Sequence, residues 1–571
     1  MGDDYDGFRM SIQKALEREV SVARGRGAAA SVSKEATRLA VGVLNDGGNA
    51  FDAAFALAFA LVVCHPQAGN IGGGGYVLFK PGKAAAPSVL NYRERAPKGA
   101  RREHYINDVG AIDPERTAFG PLSVCVPGTV KAWFELHERY GSLKAADLLL
   151  PVAGLARSGV PITEYQAQCL NRLKPKLESS PESRLIYVKE QGPFQEGDLL
   201  KNPHLAGTLE TLANEGQSAF YEGRIAEQIV SDLEQNGGSL SLEDLKTYEV
   251  EEVLPVWTEL MGSLVWSTPP EGGGSVLVEA LNILARDAFF KIEPFTPQYY
   301  HHLAQAFKMA FIDRFYYLGE IDTIGHKTYK KVLGKEYADR LFGLIRHDRD
   351  VPTRELDGLM HSGMDDLFCQ EIYEDGLPGG SDTTHFSVID REGNAVSNSY
   401  TLNLRYGSKW SVKGAGFLLN GSMDAFSFLP GKPNYFGVMG NRENIFAPGK
   451  RPASNMSPVI VTRDSDVIMI LGTPGGPTIQ STLAAVILSA FTGTAPKEAV
   501  GTGRVHHQGF PDTLYKEKQG IEGSTVEELE RFGYKVEDKN EPIGDVHGVF
   551  RDKDGYVAVS DRRREGHAGA C

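Results

Sequence analysis

Apolar side chains cover every side of the segment from Ala50 to Cys64, interrupted only by Asp52. An all-round apolar pattern of this length predicts a buried helix. The segment Ser33–Leu44 ahead of it has apolar residues at helical spacing and stops at Asn45-Asp46-Gly47-Gly48, a helix-ending signal. Further along the chain, Tyr299–Leu318 is predicted to be a long helix.

A different pattern begins near residue 383, where two runs are rich in β-branched and aromatic residues. Thr383–Asp390 and Ala395–Thr401 flank the short segment Arg391–Asn394, and this arrangement predicts a β-hairpin. Residues 320–380 are polar and broken by Gly and Pro. They predict a disordered or mobile approach to the hairpin.

Gly72–Gly75 form a glycine run between the buried helix and a predicted strand, Val77–Lys80. A phosphate-binding loop would need a Gly-Lys-Ser/Thr ending, with a strand before it and a helix after it, and this run has neither. Glycine lets two backbones approach closely, so we expect the run to pack against the strand that carries Thr383.

The composition of the chain narrows the classes of function that the protein can have. The chain has 571 residues, 41% hydrophobic and 23% charged, with a net charge of −14. This balance is typical of a globular protein, and it makes nucleic acids and anionic membranes unexpected partners. Five scattered cysteines without metal-ligand spacing predict reduced, mostly buried thiols and no metal site.

The first residues, Met1–Asp6, lack the cationic and apolar regions of a signal peptide. No stretch approaches the roughly 18 apolar residues of a membrane-spanning helix. We therefore expect a cytoplasmic protein, or a secreted or periplasmic one whose leader has been removed.

Three motifs carry the chemistry: Asp382-Thr383-Thr384-His385-Phe386-Ser387, Tyr400-Thr401-Leu402-Asn403 and Pro474-Gly475-Gly476. They closely resemble the γ-glutamyltransferase family of N-terminal-nucleophile hydrolases. The resemblance implies that the chain cuts itself between Asp382 and Thr383, and that Thr383 becomes the nucleophile. A threonine hydroxyl needs an adjacent base, and the freed α-amine, with a pKa of about 7.7–8.0, supplies one.

The resemblance also implies an architecture. The fold would be α+β, a four-layer αββα sandwich. The chain would divide into an N-terminal extension (1–27), a large subunit (28–382) and a small subunit (383–571). The two cleavage products would form a heterodimer, with further oligomerisation left open, and no cofactor or metal is implied.

Several residues take roles from the family motifs. Thr401 would bind the hydroxyl of the nucleophile, and the amides of Gly475 and Gly476 would hold the oxyanion at a helix start. The remaining matches would bind substrate: Arg93 in Arg93-Glu94-Arg95-Ala96-Pro97 and Ser454 at its carboxylate, and Asn403 at its amino acid part. Since strand side chains alternate, Thr401 and Asn403 should share one face.

The chain departs from the family pattern at several positions. Ser422 and Ala425 occupy the places of a Gln or Glu and of the Asp that pairs with the substrate's α-ammonium. Asp424 is one position off and should point elsewhere unless a register shift rescues it. Asn455 replaces a second carboxylate-binding serine, and Phe436 stands where a tyrosine of the lid is common.

Three functions are consistent with these residues. The first is an enzyme that cleaves γ-glutamyl amide bonds of glutathione-like substrates, with transfer of the acyl group to water or an amine. The second is a sibling amidohydrolase of the cephalosporin or glutaryl acylase type, with weakened recognition of the α-amino group. The third is an unprocessed, non-catalytic scaffold or binding protein.

Overall fold

A computed structural model describes residues 18–320, 329–361, 381–429, 432, 434, 440–539 and 541–571, apart from the side chains of residues 381 and 382. The strands are β1 Ser21–Gly25, β2 Ala28–Ser31, β3 Gly74–Lys80, β4 Ser88–Asn91, β5 Val160–Pro161, β6 Leu199–Leu200, β7 Glu251–Val253, β8 Val256–Leu260, β9 Ser263–Ser267, β10 Ser381–Ile389, β11 Ala395–Leu404, β12 Val459–Arg463, β13 Asp466–Leu471, β14 Val505–His506, β15 Leu514–Glu517, β16 Val536–Lys539, β17 His547–Asp552, β18 Gly555–Ser560 and β19 His567–Ala570.

The α-helices span Lys34–Asn45, Ala50–Cys64, Pro114–Ala118, Thr129–Tyr140, Ala145–Ser158, Glu164–Leu177, Pro181–Tyr187, Pro203–Glu215, Ser218–Tyr221, Arg224–Gln235, Leu242–Lys246, Gly274–Leu284, Asp287–Phe290, Pro297–Tyr317, Lys335–Phe342, Thr353–Met360, Thr478–Phe491, Pro496–Gly501 and Gly523–Arg531.

Two seven-stranded sheets form the centre of the molecule. One has the strand order β1-β18-β17-β13-β12-β9-β8, and the other has the order β19-β2-β10-β11-β3-β4-β7. The pairings within both sheets are antiparallel. We call them the β13 sheet and the β10 sheet. Strand β10, which carries Thr383, lies in the interior of its sheet.

Three apolar cores hold four layers together. Side chains of the two sheets meet in a central core that includes Tyr76, Ile460 and Ala558. A second core joins the β10 sheet to helices such as Ala50–Cys64. A third joins the β13 sheet to helices such as Pro297–Tyr317. The predicted four-layer αββα sandwich is therefore confirmed.

The predicted buried helix is confirmed: all residues of Ala50–Cys64 are buried. Its one charged residue is satisfied by hydrogen bonds, because the Asp52 carboxylate accepts from the Ser142 amide at 2.9 Å and from the Ser142 hydroxyl at 2.6 Å. Burying a carboxylate is tolerable only with such partners. Asp52 therefore ties this helix to the connection that follows the helix Thr129–Tyr140.

The predicted hairpin is also present, as β10 and β11. Its loop is closed by the Asp390 carboxylate, which accepts from the amides of Glu392 at 3.0 Å and Asn394 at 2.9 Å. An Asp that binds the backbone two residues on is a common way to stabilise a tight turn.

The glycine run packs against a different strand from the one predicted. Gly74 and Gly75 belong to β3, which pairs with β11, so Gly75 lies opposite Tyr400 rather than beside Thr383. A Cβ on Gly73 would lie 2.2 Å from the carbonyl oxygen of Thr401. The glycine run thus allows two backbones to approach closely. The strand that it approaches is β11, which is the neighbour of the strand that carries Thr383.

Two segments expected to be irregular contain regular structure. Lys335–Phe342 and Thr353–Met360 are helices whose residues Leu341 and Leu356 are fully buried, so the expectation of disorder is wrong there. Both are short amphipathic helices, and they need to pack against the apolar core beside the β13 sheet in order to form. In the N-terminal extension, residues 21–25 form edge strand β1. Residues 1–17 and 362–380 lie outside the described part.

Two smaller expectations concern membranes and thiols. Within the described ranges, no helix combines the length and apolarity that crossing a membrane requires. Cys64 and Cys125 are buried free thiols, Cys169 is also buried, and Cys571 is an exposed thiol, while Cys369 lies outside the described residues.

Candidate active site

Thr383 and Thr401 form a directly opposed pair on β10 and β11. Opposed residues of antiparallel strands project to the same face, with Cβ atoms about 4.5–5.5 Å apart. Both threonines are almost fully buried, with 5% and 4% of their surface exposed, and both line the same cavity. The hairpin therefore brings the predicted nucleophile and its predicted hydrogen-bond partner together.

The pairing of the two strands is irregular at the bond before Thr383. Ser381 pairs with Leu404 and Thr383 with Thr401, so β11 contributes one more residue than β10 over this stretch. The peptide bond between residues 382 and 383 thus lies in an interruption of the ladder. Such bulges are frequent next to active sites. The side chain of Asp382 lies outside the described part.

One cavity gathers residues from distant parts of the sequence. Most residues with predicted site roles line it, whereas Gly475 and Asp382 are not among the described lining residues. The lining residues with predicted roles are Arg93, Thr383, Thr401, Asn403, Asp424, Ser454, Asn455 and Gly476.

Gly475 and Gly476 connect β13 to the helix Thr478–Phe491. Both have positive φ angles, 139° and 58°, a conformation that glycine adopts readily. Among the described residues, neither amide N–H donates a hydrogen bond to another group. Unpaired amides ahead of a helix form a site suited to an anion.

Arg93 lies on the cavity wall with 1% of its surface exposed. One of its terminal nitrogens donates to the Glu94 carboxylate at 2.5 Å, and the other oxygen of Glu94 accepts from the Ser422 hydroxyl at 2.8 Å. Within the part of the chain that the structure describes, its Nε has no hydrogen-bond partner. Glu94 holds the guanidinium in place while leaving donors for a ligand.

Ser454 and Asn455 lie on the segment leading to β12. The Ser454 amide donates to the Glu271 carbonyl at 2.9 Å, and the Ser454 hydroxyl accepts from the Met456 amide at 3.1 Å. The Asn455 carbonyl accepts from Gln480 at 2.7 Å, while its Oδ1 has no partner among the described residues. A backbone held this firmly leaves the Asn455 side-chain amide available to a ligand.

Asp424 does not point away from the site, contrary to our expectation. Ser422–Ala425 form a single 3-10 turn rather than a strand, so strand alternation does not apply. Asp424 and Ala425 both line the cavity, and the Asp424 carboxylate accepts from the Thr117 hydroxyl at 3.4 Å. Ser422 is buried and holds Glu94 instead. Phe436 lies outside the described residues.

Asn403 also reaches the cavity, but not for the reason given by strand alternation. Its φ angle is +73°, a left-handed conformation that Asn tolerates better than most residues. Its amide donates to the Thr401 hydroxyl at 2.8 Å, and its side chain donates to the Gly421 carbonyl at 2.9 Å. Asn403 therefore links the Thr401 side chain to the 3-10 turn that carries Asp424.

Comparison with known protein families identifies the family of this chain. The profile of the family described as Gamma-glutamyltranspeptidase matches residues 36–571. The chain belongs to this family.

Related proteins match this γ-glutamyltranspeptidase-family chain over nearly its whole length. A glutathione hydrolase proenzyme of Pseudomonas aeruginosa is 37% identical and covers 95% of this chain, with 94% of the relative covered. A glutathione hydrolase proenzyme of Escherichia coli strain K12 is 35% identical, with 94% of this chain and 90% of the relative covered. The chain is therefore an enzyme of the family's hydrolase and transferase class.

Solved structures share the architecture. A cephalosporin acylase from Bacillus halodurans has a TM-score of 0.81 and 25% identity, and the match covers 97% of both chains. A γ-glutamyltranspeptidase chain from Helicobacter pylori has a TM-score of 0.56 and 32% identity, with 60% of this chain and 99% of that chain covered.

His385, next to the threonine pair in the family motif, is a structural residue in this γ-glutamyltranspeptidase-family chain. Its ring is fully buried between the two sheets and bonds the hydroxyls of Ser399 at 2.9 Å and Ser387 at 3.0 Å. Burial keeps the pKa of His385 well below its usual value, so the ring stays neutral. A neutral ring bound to two hydroxyls is well suited to hold β10 against the other sheet.

A Glu271→Gln variant should change the pH dependence of stability. Burial raises the pKa of Glu271 from 4.5 to about 7. The folded chain therefore keeps a proton that the unfolded chain loses, and stability falls as pH rises from 4.5 to about 7. The variant should match the parent near pH 5 and be more stable by about 2–3 kcal/mol near pH 8.

Urea unfolding of both proteins across this pH range measures the effect. A constant difference between parent and Glu271→Gln at all pH values would show that the carboxyl is ionised throughout.

Sequence reasoning missed several residues of the cavity wall. Arg314, Asn441 and Asn444 line it, from segments to which the motifs gave no role. Arg314 lies in Phe311-Ile312-Asp313-Arg314, which resembles a family segment, and this was the one available signal. Within the described ranges, no group of three or more His, Cys, Asp or Glu side chains is arranged to hold a metal ion.

Proposed function

We propose that the chain is an autoprocessing N-terminal threonine hydrolase and acyltransferase that acts on γ-glutamyl-type amides. The observation that carries this proposal is the opposed pair of Thr383 and Thr401 in one cavity with Gly476, Arg93 and Ser454. That cavity combines a candidate nucleophile, unpaired amides for an oxyanion and a guanidinium for a carboxylate.

The first step is cleavage of the chain itself. The Thr383 hydroxyl attacks the carbonyl carbon of Asp382, the C–N bond breaks and an ester forms, and the proton of the hydroxyl ends on the released nitrogen, which becomes an α-amine. Water then hydrolyses the ester, which frees the hydroxyl of Thr383 and the α-carboxylate of Asp382 and leaves the α-amine of Thr383 as a new N-terminus. The irregular ladder at this bond supports the step. So does the word proenzyme in the names of the relatives from P. aeruginosa and E. coli.

The freed amine then serves as the base. It takes the proton from the Thr383 hydroxyl as the oxygen attacks the substrate amide, and the amides of Gly475 and Gly476 hold the resulting oxyanion. The protonated amine gives its proton to the leaving nitrogen, and an acyl-enzyme ester remains. Water or an acceptor amine attacks this ester and regenerates the enzyme. No cofactor takes part in this sequence.

Arg93, Ser454 and Asn455 would bind the carboxylate of the acyl group, since a guanidinium with hydroxyl and amide donors matches its oxygens. Asn403 and Asp424 would contact its amino acid part. A γ-glutamyl group fits these contacts. Ala425 specifically favours a second candidate, a glutaryl-type acyl group without the ammonium.

Electrophoresis and a substrate pair test the proposal. Under denaturing conditions, active protein should run as two pieces of about 40 and 20 kDa, which together make up the 62.2 kDa of the whole chain. It should also release p-nitroaniline from γ-glutamyl-p-nitroanilide. A single band together with no turnover of any carboxylate-bearing anilide would instead indicate the non-catalytic scaffold.

An Ala425→Asp variant separates the two enzyme candidates. A carboxylate beside the substrate ammonium should improve the KM for γ-glutamyl-p-nitroanilide by about tenfold or more. Glutaryl-p-nitroanilide, which lacks the ammonium, is the control and should not improve. If the parent already prefers γ-glutamyl and the variant gains nothing, Asp424 supplies the missing charge.

A further inference from the structure

Two buried threonines bracket the loop that contains Gly475 and Gly476. This loop, residues 472–477, connects β13 to the helix Thr478–Phe491. Thr473 lies near its start, and Thr478 is the first residue of the helix that follows. The two threonines have 0% and 2% of their surface exposed, whereas both glycines are partly exposed. The threonine hydroxyls therefore reach the loop from the protein interior.

The Thr473 hydroxyl fixes the direction of the Gly475 amide. It donates to the Pro474 carbonyl at 2.9 Å, and its oxygen accepts from the Asp545 amide at 2.6 Å. The hydroxyl is thus held on both sides, as acceptor and as donor. A trans peptide unit is planar, and its C=O and N–H point in opposite directions. Holding the Pro474 carbonyl therefore turns the Gly475 N–H the other way.

The Thr478 hydroxyl acts on the next peptide unit in the same manner. It donates to the Gly475 carbonyl at 3.0 Å, and the Thr478 amide donates to the same oxygen at 3.2 Å. The Gly475 carbonyl and the Gly476 N–H belong to one planar peptide unit, so this N–H also points away from the bonded carbonyl. Each candidate oxyanion donor is therefore oriented by a hydroxyl at the opposite end of its own peptide unit.

The two glycines make such support necessary. Without a Cβ, glycine adopts many backbone conformations, so the local sequence does not fix where the amides of Gly475 and Gly476 point. No acceptor among the described residues holds either N–H. An oxyanion donor is most effective when it is already oriented before the reaction begins. The hydroxyl bonds to the two carbonyls provide this order.

We propose that Thr473 and Thr478 are positioning residues that orient the Gly475 and Gly476 amides toward the oxyanion of the tetrahedral intermediate. This inference rests on the proposed function and identifies the residues that keep its oxyanion site in place. Thr473 should matter more. Without the Thr478 hydroxyl, the Gly475 carbonyl keeps its bond from the Thr478 amide, whereas the Pro474 carbonyl has no second donor among the described residues.

Valine substitutions test the proposal kinetically, because valine replaces the hydroxyl with a methyl group of similar shape. Thr473→Val should lower kcat/KM for the anilide that the parent turns over by about 10- to 100-fold, somewhat less than the loss of a donor itself. Thr478→Val should lower it by about three- to tenfold. Thr473→Ser and Thr478→Ser keep a hydroxyl and should recover most of the rate. Denaturing electrophoresis gives the fraction of cut protein, to which each rate is normalised.

A tetrahedral analogue distinguishes positioning from general damage to the site. In the probe, a boronic acid group replaces the amide carbonyl of the acyl group. Its boron bonds to the Thr383 oxygen, the hydroxyl proton passes to the α-amine, and the adduct is a tetrahedral anion like the intermediate. Thr473→Val should bind this probe at least about tenfold more weakly than the parent does. The free acid of the same acyl group forms no such anion, and its affinity should change by less than about twofold.

Thr208→Val is the matched control. It removes a buried hydroxyl that donates to the Ala415 carbonyl at 2.8 Å, on the helix Pro203–Glu215 and away from the cavity wall, and it should retain the activity of the parent. If active Thr473→Val lost boronate and free-acid affinity equally, or lost neither, the inference would be wrong and the proposed function would stand. A parent that neither turns over an anilide nor binds a boronate would refute both.

Discussion

A Thr383→Ala variant is expected to remain one uncut chain of 62.2 kDa and to lose at least about a thousandfold in turnover. The same hydroxyl is needed twice, once to attack the carbonyl of residue 382 and once to attack the substrate. Alanine can do neither, while its smaller side chain leaves the strand in place. Denaturing electrophoresis and release of p-nitroaniline measure the two losses separately.

Two variants control for the substitution itself. Thr383→Ser keeps a hydroxyl and should retain both cleavage and turnover at reduced rates. Thr384→Val changes the neighbouring threonine, whose buried hydroxyl has no partner among the described residues, and it should leave both activities intact. Full activity of uncut Thr383→Ala protein would refute the nucleophile assignment.

A Gly73→Ala variant should damage both the fold and the processing of the chain. The added Cβ would lie 2.2 Å from the Thr401 carbonyl oxygen, which is backbone and cannot turn aside. Strand β11 must therefore shift, at a cost of about 2 kcal/mol or more in the free energy of unfolding. Because Thr401 faces Thr383, a shift of this kind should also slow cleavage by about a hundredfold.

Urea unfolding and the rate at which the two pieces appear measure these effects. Gly42→Ala is the matched control, since a Cβ there meets nothing within 4 Å and the residue lies inside the helix Lys34–Asn45. It should be neutral or stabilising by about 0.5–1 kcal/mol. Equal behaviour of the two variants would show that β11 yields without cost.

Elements with a strong local pattern could be predicted from the sequence. The buried helix Ala50–Cys64 and the hairpin of β10 and β11 are visible because residue spacing and turn chemistry both indicate them. Lys335–Phe342 and Thr353–Met360 were missed because their polar faces dominate such short segments. Their stability comes from burying Leu341 and Leu356 in a core formed by distant residues.

Within the site, the sequence motifs predicted which residues line the cavity better than they predicted where the side chains point. Asp424 and Asn403 were placed by strand alternation, but one lies in a 3-10 turn and the other has a left-handed backbone. Local backbone geometry of this kind depends on what surrounds the segment. It therefore could not be read from residue spacing alone.

That the Arg314 Nε has no hydrogen-bond partner among the described residues could not be predicted for a related reason. Buried charges in this chain are neutralised from far away, as Lys308 is by Asp350 and Asp512 at 2.6 and 2.8 Å. Whether a given cation finds such a partner is decided by the tertiary fold. Only the folded chain reveals which buried charges are paired.

The strand order of the β10 sheet has a consequence for the two pieces that the proposed cleavage before Thr383 would produce. Strand β2, from the part before residue 383, lies between β19 and residues 386–389 of β10, which both come from the part after it. In the β13 sheet, β1, β9 and β8 likewise flank strands that come after the cut. The fragments are interwoven, so neither can leave without dismantling both sheets. Separately synthesised halves should therefore assemble poorly, and an intact precursor is the efficient route to the mature fold.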